Sequence, residues 1–130
     1  MAPTGFPFST GDVLPADSVN ELVQFTINTQ SGTTYTLAAS DQYQVLILTS
    51  NSAAKTVSIP TDATTNFAIG TAITILNTGT ADTTIQAVTS GTTTVTSAGA
   101  TSAAPKVSQY RAATCVKTAA NAWTVIGAVI

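Results

Sequence analysis

Hydrophobic and polar residues alternate with a two-residue period along most of the chain, the pattern of half-buried strands. Val23, Phe25 and Ile27 are separated by Gln24 and Thr26, and Thr29-Gln30-Ser31-Gly32 follows as a turn. Thr34–Leu37 predicts a short strand. Tyr43–Thr49 is denser, with Val45, Leu46, Ile47 and Leu48 in succession, as in a central strand buried on both faces. Asn51–Lys55 turns the chain into Thr56–Ile59, which Pro60 ends. Thr71–Asn77 places Ile73 and Ile75 around Thr74. The hairpin-type turn Asn77-Thr78-Gly79-Thr80 then leads back into Thr83–Val88. Thr92–Thr96 reads as a weak edge strand and Ser97–Pro105 as a loop of small residues. Val107–Lys117 and Ala122–Val129 close the unit as a hairpin through Thr118–Asn121.

About eight or nine short strands at this spacing, with no helix-period segment of useful length, predict an all-β sandwich or barrel. The expected core is Phe25, Ile27, Leu37, Val45, Ile47, Val57 and Ile59 from the first half of the chain. Phe67, Ile73, Ile75, Ile85, Val116, Trp123 and Val125 complete it. That is lean for 130 residues, which favours burial between copies.

Residues 1–20 break the pattern. Pro3, Pro7 and Pro15 fall here with Gly5 and Gly11, and Phe6 and Phe8 flank Pro7. Ladder-breaking residues with exposed aromatics predict an extended N-terminal arm that docks on a neighbour, ahead of a single domain over residues 21–130. Phe6, Pro7, Phe8, Val13 and Leu14 are its expected partner-binding residues.

Composition narrows the function. Only 8% of residues are charged, four basic against six acidic, and mean hydropathy is +0.31. A lone monomer with so few charges has weak protection against self-association, so copies or partners are expected to cover part of the surface. With no His and one Cys, the commonest general base, a disulfide and Cys-rich metal sites are all missing. Four basic residues and a pI near 4.5 argue against a nucleic-acid footprint. No apolar run approaches a membrane span, and Met1–Thr10 lacks a signal peptide's basic residue and apolar run, which predicts synthesis without export. Cys115 is expected to be a reduced, small core residue. Charge is also uneven: Asp12, Asp17, Glu21 and Asp41 all precede the first basic residue, Lys55.

Candidate chemistry is thin. Asp62 and Asp82 lie in turns, where Asx-turn roles explain them better than a glycosidase pair. Lys106 and Ser108 would share a strand face, which reads as a solvated face more readily than as a Ser–Lys catalytic pair. No calcium loop, nucleophile elbow or phosphate loop is present. Tyr35, Tyr43 and Tyr110 read as core-rim residues. Thr34-Tyr35-Thr36 and Thr92–Thr96 resemble the Thr-x-Thr ladders of ice-binding solenoids, but recur at no constant interval. No enzyme activity, cofactor or metal is expected.

From Tyr35 onward the order of motifs resembles a small β-domain of tailed-bacteriophage virion proteins. Tyr35-Thr36-Leu37 precedes Asp41 and a buried strand, followed by Val57-Ser58-Ile59-Pro60 and a loop with Phe67. Ile69-Gly70-Thr71 leads into Ile73-Thr74-Ile75, then Thr84-Ile85-Gln86-Ala87, Tyr110 to Lys117, and Trp123 before Gly127. The resemblance implies a trimer-forming, jelly-roll-like antiparallel β-sandwich from tail fibres, spikes or capsid decoration proteins. A one-domain chain with a Pro/Phe arm is most similar to a head decoration, or cement, protein. Its expected partners are its own copies, as a homotrimer, and the major capsid protein, with no nucleic acid or membrane. Its expected place is the capsid exterior of the virion. The alternative is a receptor- or glycan-binding tip of a tail fibre or spike.

Overall fold

The computed structural model describes residues 24–97 and 104–130. The expected arm, with Phe6, Pro7, Phe8, Val13 and Leu14, lies outside the described residues. The described chain is an all-β, sandwich-like fold of two sheets. Its strands are β1 (Thr26–Gln30), β2 (Thr34–Thr36), β3 (Val45–Thr49), β4 (Lys55–Ile59) and β5 (Ala72–Asn77). They continue as β6 (Thr83–Ala87), β7 (Thr94–Ser97), β8 (Lys106–Val107), β9 (Arg111–Ala119) and β10 (Ala122–Gly127). One sheet has the order β1-β3-β5-β9-β10-β7, and the other β2-β4-β6-β8.

The strand pairing corrects the expectation of an antiparallel jelly roll. Strands β1 to β6 alternate between the sheets, so β1, β3 and β5 stack in parallel in one, and β2, β4 and β6 in the other. This is a short coil of unequal turns: Thr26 sits beside Val45, whereas Leu46 sits beside Thr74. The unequal turns are why no fixed repeat is visible in the sequence. Antiparallel pairing enters only with β8, β9 and β10.

The turn Asn77–Thr80 shows why. It does not close a hairpin but carries the chain from one sheet to the other. Asn77 is fully buried, and its amide donates to Ala81 O (2.8 Å) and Val107 O (2.9 Å) while Asn77 Oδ1 accepts from Gly79 N (2.9 Å). These bonds bend the chain inward across the roughly 10 Å between sheets. The C-terminal pair β9–β10 is the expected hairpin, turning at Asn121 with φ +49°. After Gly127 the chain crosses back, and Ile130 exchanges both backbone bonds with Lys106 at the edge of the smaller sheet (2.9 and 3.0 Å). Gly127 is required here: φ is +127°, and a Cβ would meet Ala112 O at 2.8 Å.

Between the sheets lies one core, from Leu37, Val45 and Ile47 through Ile73, Ile75 and Ile85 to Trp123 and Val125. Phe67 meets Trp123 edge to face, centroids 5.5 Å apart. Cys115 is buried in this core, as expected, and burial pushes its thiol up to about 12. Three expected core residues are not in it. Phe25 and Ile27 are 61% and 52% exposed, and Val116 is half-buried on the outer face. In β1 the inward positions are Thr26, Asn28 and Gln30; in β9 they are Ala113, Cys115 and Lys117. The period was legible but the phase was not, because Asn28 and Lys117 have polar partners inside. Leu46 and Leu48 are likewise half-buried, so β3 is buried fully on one face only.

Candidate interaction surface

The charged and polar groups that could carry chemistry are built into the architecture. Lys117, 1% exposed, donates to Asp62 Oδ1 (2.8 Å), Asn66 Oδ1 (3.1 Å) and Phe67 O (2.7 Å). Asp62 Oδ2 accepts from Asn121 N (2.9 Å), and Asp62 N donates to Asn121 Oδ1 (2.8 Å). The Lys117 hydrogen bond holds the Asp62 carboxyl below its usual value, burial opposing and the Asn121 amide assisting. Asp62 is therefore not the local Asx-turn residue expected from the sequence. It clamps the loop after β4 to the β9–β10 hairpin.

A second cluster ties β1 to the coil. Asp41 is buried in the 3₁₀ turn Ala39–Gln42. Its Oδ2 accepts from Tyr35 Oη (2.7 Å) and Ala38 N (2.8 Å), and its Oδ1 from Asn28 Nδ2 (3.0 Å). Burial, then the Asp41 hydrogen bond and charge, raise the Tyr35 hydroxyl to about 12. Tyr35 is the core-rim residue expected, but Tyr43 and Tyr110 are 45% and 75% exposed.

Lys55, read as a turn residue, opens β4 and is 2% exposed. Its ammonium donates to Asn51 O (2.7 Å), Ala53 O (3.3 Å) and Ala81 O (2.6 Å) at the sheet crossing. Burial lowers its pKa, with Asp82 opposing. A lysine at an inward parity position, beside Val57 and Ile59 or beside Ala113 and Cys115, was the sequence signal for both buried amines.

The other sequence candidates do not converge. Strand β8 ends at Val107, so Ser108 falls in the next turn, where its carbonyl accepts from Arg111 N (3.1 Å). Among the described residues no three His, Cys, Asp or Glu side chains gather to hold a metal, and no helix is long and apolar enough to cross a membrane. Among the described residues, two of the open concavities lie away from the Lys117 cluster. One, of about 440 Å³, is lined by Thr26, Ile27, Asn28, Ser40, Asp41, Tyr43 and Val45. The other, of about 260 Å³, lies beside β6 and the start of β7, where the buried Thr93 hydroxyl has no hydrogen-bond partner.

The outer faces of the two sheets differ in kind. On the smaller sheet, one row reads Thr34, Thr56, Thr84 and Lys106, and the next Thr36, Ser58 and Gln86. Hydroxyls, an amide and an ammonium suit contact with water. On the larger sheet, the central row reads Ile27, Leu46, Thr74, Thr114 and Ile126. Beside it run Thr29, Leu48, Leu76 and Ala112 on one side, and Ala72, Val116, Thr124 and Thr96 on the other. All of these are half-buried or exposed, and none carries a charge. The Thr74 and Thr114 hydroxyls bond to each other across the strands at 3.0 Å.

No family model matches the chain, and no curated protein or solved structure matches it significantly.

Proposed function

We propose that this chain is a structural protein of a tailed-bacteriophage particle: a homotrimeric head decoration, or cement, protein that stabilises the major capsid shell and works on the virion exterior. The observation that carries the reading is the division of polar groups. Lys55, Asp62 and Lys117 are consumed inside the fold, while the larger sheet presents a broad uncharged face outward. That is the arrangement of a protein that works by contact area. The motif order from Tyr35 to Gly127 supports the same assignment, since its Tyr35 and Asp41 bond to each other at 2.7 Å and its Phe67 and Trp123 pack together.

In this reading residues 1–20 reach over neighbouring capsid subunits, with Phe6, Pro7, Phe8, Val13 and Leu14 as anchors. Each contact is modest, but binding repeated over a lattice stabilises the shell by mass action. Immunogold labelling of whole particles tests the place: gold in many copies over the head is expected, and gold only at the tail tip refutes it. Deleting residues 1–20 should weaken shell binding while leaving the far-UV circular dichroism of the β-domain intact. Equal binding by the truncated chain refutes the arm.

One observation favours the alternative, a glycan- or receptor-binding tail tip. Tyr43 is exposed beside Ser40 and Asn28 at the mouth of the larger concavity. Aromatic faces beside polar side chains bind sugars. Host cells stained by labelled protein, and not by its Tyr43→Ala variant, would establish that reading.

A further inference from the structure

We propose that the outer face of the six-stranded sheet is where copies of this chain meet, the three faces of the homotrimer turned toward a common axis so that each meets part of both others. The inference rests on the self-assembly in the function proposed above and identifies the surface that performs it.

Three observations point to a second copy as the occupant. The first is charge. Among the described residues, no charged side chain lies on this face across its six strands. Its own copy therefore meets it without like-charge repulsion and without stranding an ion away from water. A partner with an ordinary charged surface would bury charges that nothing here can pair. The second is polar satisfaction. The Thr74 and Thr114 hydroxyls at the centre of the face already bond to each other at 3.0 Å, so covering them leaves one O–H, not two, to find an acceptor. Isoleucines stand at both ends of their row, Ile27 on the edge strand β1 at 52% exposure and Ile126 on β10, one strand in from the other edge, at 56%, so both sides of the face present an apolar side chain to a neighbouring copy.

The third is area. Six strands about 4.8 Å apart and three rows about 7 Å apart span roughly 25 by 20 Å. Turned inward in the trimer, each subunit covers about 500 Å² of this face, the per-partner lower limit for a specific interface before loops at the rim contribute. The chain also supplies its own contrast: the hydroxyl-lined outer face of the smaller sheet, with Lys106, is the one built for solvent. Such contacts are heterologous, the β1 side of one face meeting the β7 side of the next, and heterologous contacts that close make rings of identical subunits.

The test is sedimentation equilibrium on the full chain and on Leu48→Lys, Thr74→Lys and Thr56→Lys, each checked by far-UV circular dichroism. Leu48 and Thr74 lie on the proposed face; Thr56 lies on the outer face of the smaller sheet. The wild type and Thr56→Lys are expected to assemble alike. Leu48→Lys and Thr74→Lys should weaken assembly by roughly a hundredfold or more, since each buries an unpaired ammonium. Folded Leu48→Lys and Thr74→Lys proteins that assemble like wild type overturn the proposed face and leave the trimer standing. A wild type monomeric at every concentration overturns both. If a variant fails to fold, hydroxyl-radical footprinting of the wild type decides: Leu46, Leu48 and Leu76 should be protected in the assembled form and oxidised on dilution to monomer. Equal oxidation in both forms refutes the face.

Discussion

Replacing Asp62 with asparagine keeps the shape of the side chain and removes one charge, which isolates what the Asp62–Lys117 pair contributes. Lys117 is 1% exposed and Asp62 19%, so the ammonium is the more deeply desolvated partner. In Asp62→Asn that ammonium keeps Asn66 Oδ1 at 3.1 Å and Phe67 O at 2.7 Å but loses its counter-charge. Breaking one side of a buried pair costs about 3–5 kcal/mol, and the partial exposure of Asp62 places this case near the lower end, at about 3 kcal/mol. Lys117→Met is milder. Its apolar stem is replaced in kind, and Asp62 retains the Asn121 amide at 2.9 Å and its access to water, so about 1–2 kcal/mol is expected.

Urea unfolding followed by Trp123 fluorescence and circular dichroism measures both. With a slope of about 1.5–2 kcal/mol per molar, Asp62→Asn should lower the midpoint by about 1.5–2 M and Lys117→Met by about one-third to two-thirds of that. The effect also has a pH signature. The folded-state pKa of Asp62 is depressed, so its contribution is complete above the unfolded value of about 3.9 and is lost as pH falls through the folded value. The gap between wild type and Asp62→Asn should therefore be constant near neutrality and close in acid below about pH 4. A Lys117→Met variant less stable than Asp62→Asn, or a gap that persists unchanged in strong acid, would refute the reasoning.

Two further outcomes are expected. Tyr35 should titrate in the ultraviolet at about 12, and Tyr35→Phe should remove that late component. Because this folded-state value is raised above the ordinary 10, the stability Tyr35 contributes is fully present below pH 10 and is lost as pH rises toward 12, which alkaline unfolding curves of wild type and Tyr35→Phe can compare. Cys115 should resist thiol reagents at neutral pH in the native protein and react at once in denaturant, so its labelling rate reports opening of the core; fast native labelling would contradict its burial.

The candidate site was legible only in outline. Low charge and positive mean hydropathy lead one to expect a covered surface, but do not say which one. Ile27 and Val116 were read as core, yet both belong to the outer face of the larger sheet. Hydrophobicity predicts that a residue leaves water; it does not say whether the cover comes from its own chain or another. The buried lysines were missed for a related reason. Lys55 and Lys117 look like solvent residues until the carbonyls of Asn51 and Ala81, or Asp62 and Phe67, are brought around them by contacts distant in sequence.

Local pattern was enough for the strands themselves. Val57 and Ile59, Ile73 and Ile75, and Trp123 and Val125 alternate with polar neighbours, and each pair reaches the core as that alternation requires. A two-residue period is a property of neighbouring positions, so it survives in the sequence alone. Strand partners, direction and phase are properties of the assembled sheets. Asn77 could close a hairpin or steer a crossing, and the acceptors at Ala81 and Val107 exist only once both sheets are in place. Asn28 turns inward to Asp41, and Lys117 to Asp62 and Phe67 O, because leaving the buried Asp41 carboxylate and Phe67 carbonyl short of a donor costs more than the exposure of Ile27 or Val116.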